Sequence, residues 1–299
     1  MNVGLVLPLF SGDAERVLAF ARRAEERGFD GVFAFDHLFP PGAPADRPSL
    51  EAFASLAAVA ARTSRVAVGT LVTRATLRST GMLAKIAASV DDVSGGRMIL
   101  GIGTGDPIDE PEHRVFGLGY LDKSERREHL VETVRAIKAL YAGVSWEGGP
   151  HVPAMKGPLL PPPVRPGGPP IWIGGFADAV VRLAAAEVDA WNGWGMELDE
   201  FTRKARLLRD AAGDRPVSAT WAGIVVVGRD DAEVERLLEQ RSARGLETGV
   251  WSGTTASLRT RLEELAVAGA TWSVLVPGGP PDRLDVIADE VLPHLRSTA

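Results

Sequence analysis

Asp36 and His37 are the pair in this chain best placed for acid–base chemistry. They follow Val32-Phe33-Ala34-Phe35, so an apolar strand ends on a carboxylate and an imidazole. A buried parallel strand delivers its last side chains to the carboxyl edge of the sheet, where α/β enzymes keep their reacting groups. An imidazole titrates near neutrality and can take or return a proton there. The same dipeptide also fits a helix-capping Asp beside a surface His. Two glycine clusters accompany it. Gly101-Ile102-Gly103-Thr104-Gly105 ends another apolar run. It is no dinucleotide fingerprint, because Asp106-Pro107 and Pro111 prevent the helix that must open at once. Its glycines either let a flat ring approach the backbone or make a tight turn. Gly174-Gly175-Phe176-Ala177 is the better anion seat: a strand ends, two glycines expose N–H groups, and a helix begins with its positive dipole end. A Gly-Gly turn without ligand is the alternative.

Other chemistries are excluded by what the chain lacks. The five lysines, Lys85, Lys123, Lys138, Lys156 and Lys204, fall on expected helices or in a long loop region, so no strand end offers a Schiff base. No two of His37, His113, His129, His151 and His294 stand at metal-ligand spacing, and no metal is expected. Asp106 suits one member of a glycosidase pair, but Ser218-Ala219-Thr220-Trp221 supplies no partner. There is no cysteine, hence neither thiolate nor disulfide. With 39 acids against 33 bases and no basic stripe, nucleic acid and anionic membrane surfaces are not expected partners. The N-terminus shows no basic leader, and no apolar run spans a bilayer, so the expected location is cytoplasmic. A few polar groups, the tryptophans Trp172, Trp191, Trp194 and Trp221, and an anion seat together suit a phosphorylated flat aromatic cofactor that carries the reaction itself.

These groups need elements to position them. Strand-like and helix-like segments alternate throughout, which implies a parallel sheet covered by helices. The strands are expected at Val3 to Pro8, Asp30 to Phe35, Val66 to Val72, Arg97 to Gly103, Ile171 to Ile173, Asp189 to Asn192, within Val217 to Val227, and at Trp272 to Val276. Asp13, Ser49 and Ser79 are expected to open the first three helices, Asp230 with Glu233 forms an expected capping box, and a last helix runs from about Pro281 to Leu295. Eight strands, each followed by helix, in 299 residues make a (β/α)8 TIM barrel of one domain; a doubly wound open sheet is the alternative. The rhythm breaks at residues 106–169, an insertion after strand four with one amphipathic helix from about Ser124 to Tyr141. So long an insertion is expected to be a lid, or else an excursion without function.

The order and spacing of several stretches carry a resemblance. Gly28-Phe29-Asp30 with Phe35-Asp36-His37, Val68-Gly69-Thr70-Leu71-Val72-Thr73, Asp91-Asp92-Val93-Ser94-Gly95-Gly96-Arg97, Leu100 to Gly105, and Pro169 to Gly175 resemble the luciferase-like flavin and deazaflavin oxidoreductases over essentially the whole chain. The resemblance implies a (β/α)8 barrel with FMN or the deazaflavin coenzyme F420 at its carboxyl mouth. It places Asp36 and His37 against ring and substrate, with Asp36 orienting the imidazole or touching the ring. It implies a non-prolyl cis bond between Leu71 and Val72 behind the ring, Thr73, Thr104 and Gly105 beside it, and Gly174, Gly175 and Phe176 around the phosphate. Asp106 stands where sugar-phosphate dehydrogenases of this group carry a glutamate. The wording of the motifs is closer to the deazaflavin branch, which implies hydride transfer to or from a small organic substrate. The alternatives are an FMN-dependent monooxygenase fed by a separate flavin reductase, and a non-catalytic flavin-binding protein. A homodimer is suggested by analogy with such barrels.

Overall fold

The computed structural model describes residues 1–42, 44–246 and 249–296. Eight parallel strands form a closed cylinder: β1 (Asn2–Val6), β2 (Gly31–Ala34), β3 (Ala67–Thr70), β4 (Met98–Gly103), β5 (Ile171–Gly174), β6 (Ala190–Trp194), β7 (Ser218–Gly228) and β8 (Ala270–Gly278). They neighbour one another in sequence order, and β8 pairs with both β7 and β1 to close the ring. Apolar side chains on both strand faces explain their uninterrupted hydrophobic wording, since one face meets the surrounding helices and the other fills the cylinder.

The outer layer follows from helical periodicity. In α1 (Ala14–Glu26), Asp13 accepts the Arg16 N–H at 3.1 Å, and Val17, Ala21 and Ala24 turn one face inward. The inner layer is aromatic. Phe33 stacks on Trp172 at 5.4 Å between ring centroids and meets Trp272 edge-on at 5.6 Å. Glycines make the space: a Cβ at Gly4 or Gly69 would stand 2.8 Å from the Phe33 ring, and one at Gly31 would stand 2.9 Å from Trp272. The floor of the cylinder is therefore packed solid, and anything bound must lie above it, at the carboxyl ends of the strands.

Several expectations are corrected. Two short strands were not anticipated: Thr73–Arg74, which pairs with the end of β4, and Val250–Thr254, which extends along the far half of β7. Ser49 does not cap α2 (Ala52–Ala60); Glu51 does, accepting the Ala54 N–H at 2.6 Å. Ser49 Oγ donates instead to the carbonyl of His37 at 2.8 Å. Thr80–Ser94 forms α3, opened by Ser79. Between β4 and β5 lie a one-turn 3-10 helix (Pro107–Asp109) and α4 (Glu110–Val115), both read as polar loop from sequence, before α5 (Lys123–Tyr141). The expected final helix is two, Arg283–Glu290 and Leu292–Arg296. Among the described residues no helix is long and apolar enough to cross a membrane.

Candidate active site

Just beyond β2, Asp36 is only 3% exposed. Burying a carboxylate demands compensating partners. Thr73 Oγ1 donates to Oδ2 at 2.5 Å, Arg78 grips both oxygens, with Nη2 3.0 Å from Oδ1, and Arg74 Nη2 donates to the Asp36 carbonyl at 3.2 Å. Arg78 reaches on to Glu51, so the capping residue of α2 joins the same network. Asp36 is thus spent on tying β2 to the segment after β3. The expectation that it orients the imidazole is overturned.

Glu112 has that place. His37 Nδ1 lies 2.7 Å from Glu112 Oε1, while the other carboxylate oxygen accepts the Leu38 N–H at 2.6 Å and Arg74 Nη2 at 2.8 Å. Burial pushes the Glu112 pKa upward, but the hydrogen bonds from His37 and Leu38, with the His37 and Arg74 charges, hold it below the usual carboxylate range. Sequence reasoning missed Glu112 because α4 has six residues, opens on Glu-Pro, and carries too little apolar periodicity to register. One signal was available: Asp106-Pro107-x-Asp109, an N-cap, a first-turn proline and an acid three residues on, with Asp109 Oδ2 accepting the Asp106 N–H at 2.7 Å.

Donor atoms of His37, Asp109 and Glu112 fall within 4.8 Å of one another, a grouping that histidine spacing alone could not reveal. Arg74 sits against the same carboxylates, 2.8 Å from Glu112 and 3.9 Å from Asp109, and supplies the positive charge that a cation would bring. Asp106 lies at the outer margin. Partial desolvation, and next the neighbouring Asp109 charge, raise its pKa. Thr104 turns back on its own loop, Oγ1 donating to the Gly105 carbonyl at 3.2 Å. Gly105 has φ +72°, and a Cβ there would stand 3.0 Å from both Arg74 Cδ and Asp109 Oδ2.

The Leu71–Val72 peptide bond is cis, as the resemblance implied. What the glycines of β4 accommodate is Val72 and the chain beside it, not open space for a ring. A Cβ at Gly101 would stand 2.2 Å from the Thr70 carbonyl oxygen, one at Gly103 2.7 Å from Val72 Cγ2, and one at Gly174 3.2 Å from both Val72 methyls. Asp36, Thr73, Val72 and Gly174 therefore form one continuous line of contacts along the rim. At its far end, α6 (Asp178–Glu187) begins without a side-chain cap at Ala177. Trp191 Nε1 donates to the Gly175 carbonyl at 2.9 Å, and a Cβ at Gly175 would meet Val180 at 2.9 Å. Phe176 stands 53% exposed beside this turn. Asp178, in the first turn of α6, is balanced by Arg203 at 3.0 Å and by the buried Lys204 at 2.8 Å, which hold its carboxyl well below the usual range. Half-buried rings line the remaining rim: Phe35 lies 5.4 Å from Trp194, 6.1 Å from Phe10 and 6.4 Å from the His37 ring.

The sequence of the chain matches the family described as luciferase-like monooxygenase over residues 1–276. An F420-dependent glucose-6-phosphate dehydrogenase of Nakamurella multipartita is 33% identical over 226 residues, 73% of this chain and 60% of that protein. The chain thus spans about three-fifths of the length of that curated relative. Among solved structures, an F420-dependent secondary alcohol dehydrogenase in complex with an F420-acetone adduct superposes with a TM-score of 0.84 at 20% identity, covering 99% of each chain. The monooxygenase RslO1 of Streptomyces bottropensis superposes at 0.79 with 21% identity, covering 99% of this chain and 100% of its own. These likenesses establish the same barrel. With the sequence match running from β1 into β8, the chain belongs to the luciferase-like monooxygenase family.

Proposed function

We propose that this protein is an F420-dependent oxidoreductase acting on a small alcohol or carbonyl compound. The observation that carries the reading is the joining of three features on one rim: the imidazole of His37, the Val72 side chain after the cis bond, and the uncapped α6 terminus behind Gly174 and Gly175. The named activity of the curated relatives and the wording shared with the deazaflavin branch support F420 over FMN.

The residues fit the cofactor. Gly174, Gly175 and Phe176 with the first turn of α6 would hold its phosphate, since backbone N–H groups and the helix dipole favour an anion. Val72 would back the ring system, with Leu71, Thr73, Thr104 and Gly105 around it. Bound F420 supplies a carbon that accepts or donates hydride, leaving the proton to the protein. His37 carries that proton: its Nε2 accepts the substrate hydroxyl proton in oxidation and returns it in reduction. Asp106, nearer the margin, is a second proton-bearing group, and its raised pKa suits a carboxyl that holds its proton more readily. Residues 106–169 act as an insertion that covers the mouth, and its helix α4 reaches the site through Glu112.

Two measurements test this. Fluorescence titration of the purified chain with F420 and with FMN is expected to saturate with F420; tight FMN binding without response to F420 sends the reading to the monooxygenase alternative. His37→Ala is expected to lower turnover on a panel of alcohols, including glucose 6-phosphate, by about 10²–10⁴-fold while F420 affinity is retained. Unchanged turnover would remove the base, and a chain that binds F420 without turning over any alcohol or carbonyl compound is a binding protein instead.

A further inference from the structure

We infer that Glu112 is the positioning residue for His37, holding the imidazole as the Nδ1–H tautomer so that Nε2 is left bare toward the mouth. This rests on the role of His37 proposed above. A neutral imidazole has one N–H donor and one acceptor nitrogen, and an ionised carboxylate can only accept. A contact of 2.7 Å between Nδ1 and Glu112 Oε1 therefore assigns the proton to Nδ1.

Glu112 is equipped to remain ionised and still. It is 1% exposed, and its second oxygen is fixed by the Leu38 N–H at 2.6 Å and by Arg74 at 2.8 Å. Both partners are themselves anchored, Leu38 through the chain next to His37 and Arg74 through the Asp36 carbonyl at 3.2 Å. The His37 main chain is also held, with Ser49 Oγ donating to its carbonyl at 2.8 Å. The charged groups around the ring are Glu112, Asp109 at 3.7 Å from Nδ1, Asp106 farther out and Arg74 beneath. Phe10 and Phe35 flank the ring at centroid distances of 6.3 and 6.4 Å. Nε2 makes no hydrogen bond among the described residues, and it is the only ring nitrogen available to a ligand. When it takes a substrate proton, the resulting imidazolium keeps its Nδ1–H on Glu112, so the positive charge forms against a carboxylate already in place. The insertion after β4 thereby completes the site, since β2 alone supplies an imidazole with no fixed tautomer.

The test is ¹⁵N NMR of histidine-labelled full-length protein without cofactor, at a pH where His37 is neutral. The wild type is expected to show protonated Nδ1 and bare Nε2 for His37. Glu112→Ala is expected to lose that signature and to lower kcat about 10²-fold with F420 affinity unchanged. Glu112→Gln has a single acceptor oxygen, which the Leu38 N–H and Arg74 claim, so its NH₂ is turned toward Nδ1 and is expected to donate to it, reversing the tautomer to Nε2–H and lowering kcat about as far as the Ala variant does. Should the Ala variant fail to fold, the near-isosteric Gln variant and its tautomer still decide. An Nε2–H tautomer in the wild type overturns the inference, as does a Gln variant that keeps the Nδ1–H form and full kcat. Stoichiometric binding of zinc that shifts the His37 resonances also overturns it, making the group a metal site. If F420 fails to bind, the cofactor reading falls, yet the tautomer experiment still settles what Glu112 does.

Discussion

Two sets of glycines divide the barrel. Gly4, Gly31 and Gly69 line the floor, and the space they leave is filled by Phe33 and Trp272, rings that belong to the core. Gly101, Gly103 and Gly174 line the rim, and the space they leave goes to Thr70 and to Val72, a half-buried aliphatic group next to a cis peptide bond. The same residue type thus does two jobs. On the floor the missing side chain is replaced by a larger one, giving a closed, stable volume. At the rim it admits the close approach of the main chain at Thr70 and of the Val72 side chain.

Two substitutions break or sharpen that contrast. Phe33→Ala empties the floor, and it is expected to cost about 3–5 kcal/mol in denaturant unfolding, because a buried ring leaves a cavity among rigid neighbours. A loss below about 1 kcal/mol there would show that the floor collapses freely and is no fixed plug. Gly103→Ala acts on the rim instead. Overpacking against Val72 is expected to cost about 1–3 kcal/mol of stability, and F420 affinity measured by fluorescence should fall more steeply than in any floor variant of equal stability. Equal losses of affinity in both would erase the distinction between the two sets.

The smallest effect separates two carboxylates of the same insertion, Asp106 ahead of its first turn and Glu112 on α4. Glu112 is held below its ordinary value of 4.5, so its contribution to stability is present above that pH and is lost as the solution is acidified through its folded-state value. Asp106 is raised above its ordinary 3.8; its folded state binds a proton more tightly than its unfolded state, so it weakens stability as pH rises through that window. Asp106→Asn is therefore expected to raise thermal stability at pH 7 by a few tenths of a kcal/mol, discounted for solvent screening, with the gain vanishing below pH 3.8. A destabilised Asn variant would mean that the Asp106 carboxylate makes a favourable contact in its ionised form.

The chain by itself determined the eight-strand order, the rim position of Asp36 and His37, and the Gly174 turn, because each rests on local patterns: apolar runs, their terminations and helix starts. The motif wording also carried the cis bond at Leu71–Val72. Only the tertiary structure decided which carboxylate serves the imidazole. Asp36 is its sequence neighbour, but past the end of β2 the Asp36 carboxylate is taken up by Thr73 and Arg78. Glu112 lies 75 residues away on a helix too short to announce itself. Closing the barrel brought it to His37, as it brought Val72 onto glycines of two other strands. Such contacts arise from the register of one strand against another, a quantity that no local pattern encodes.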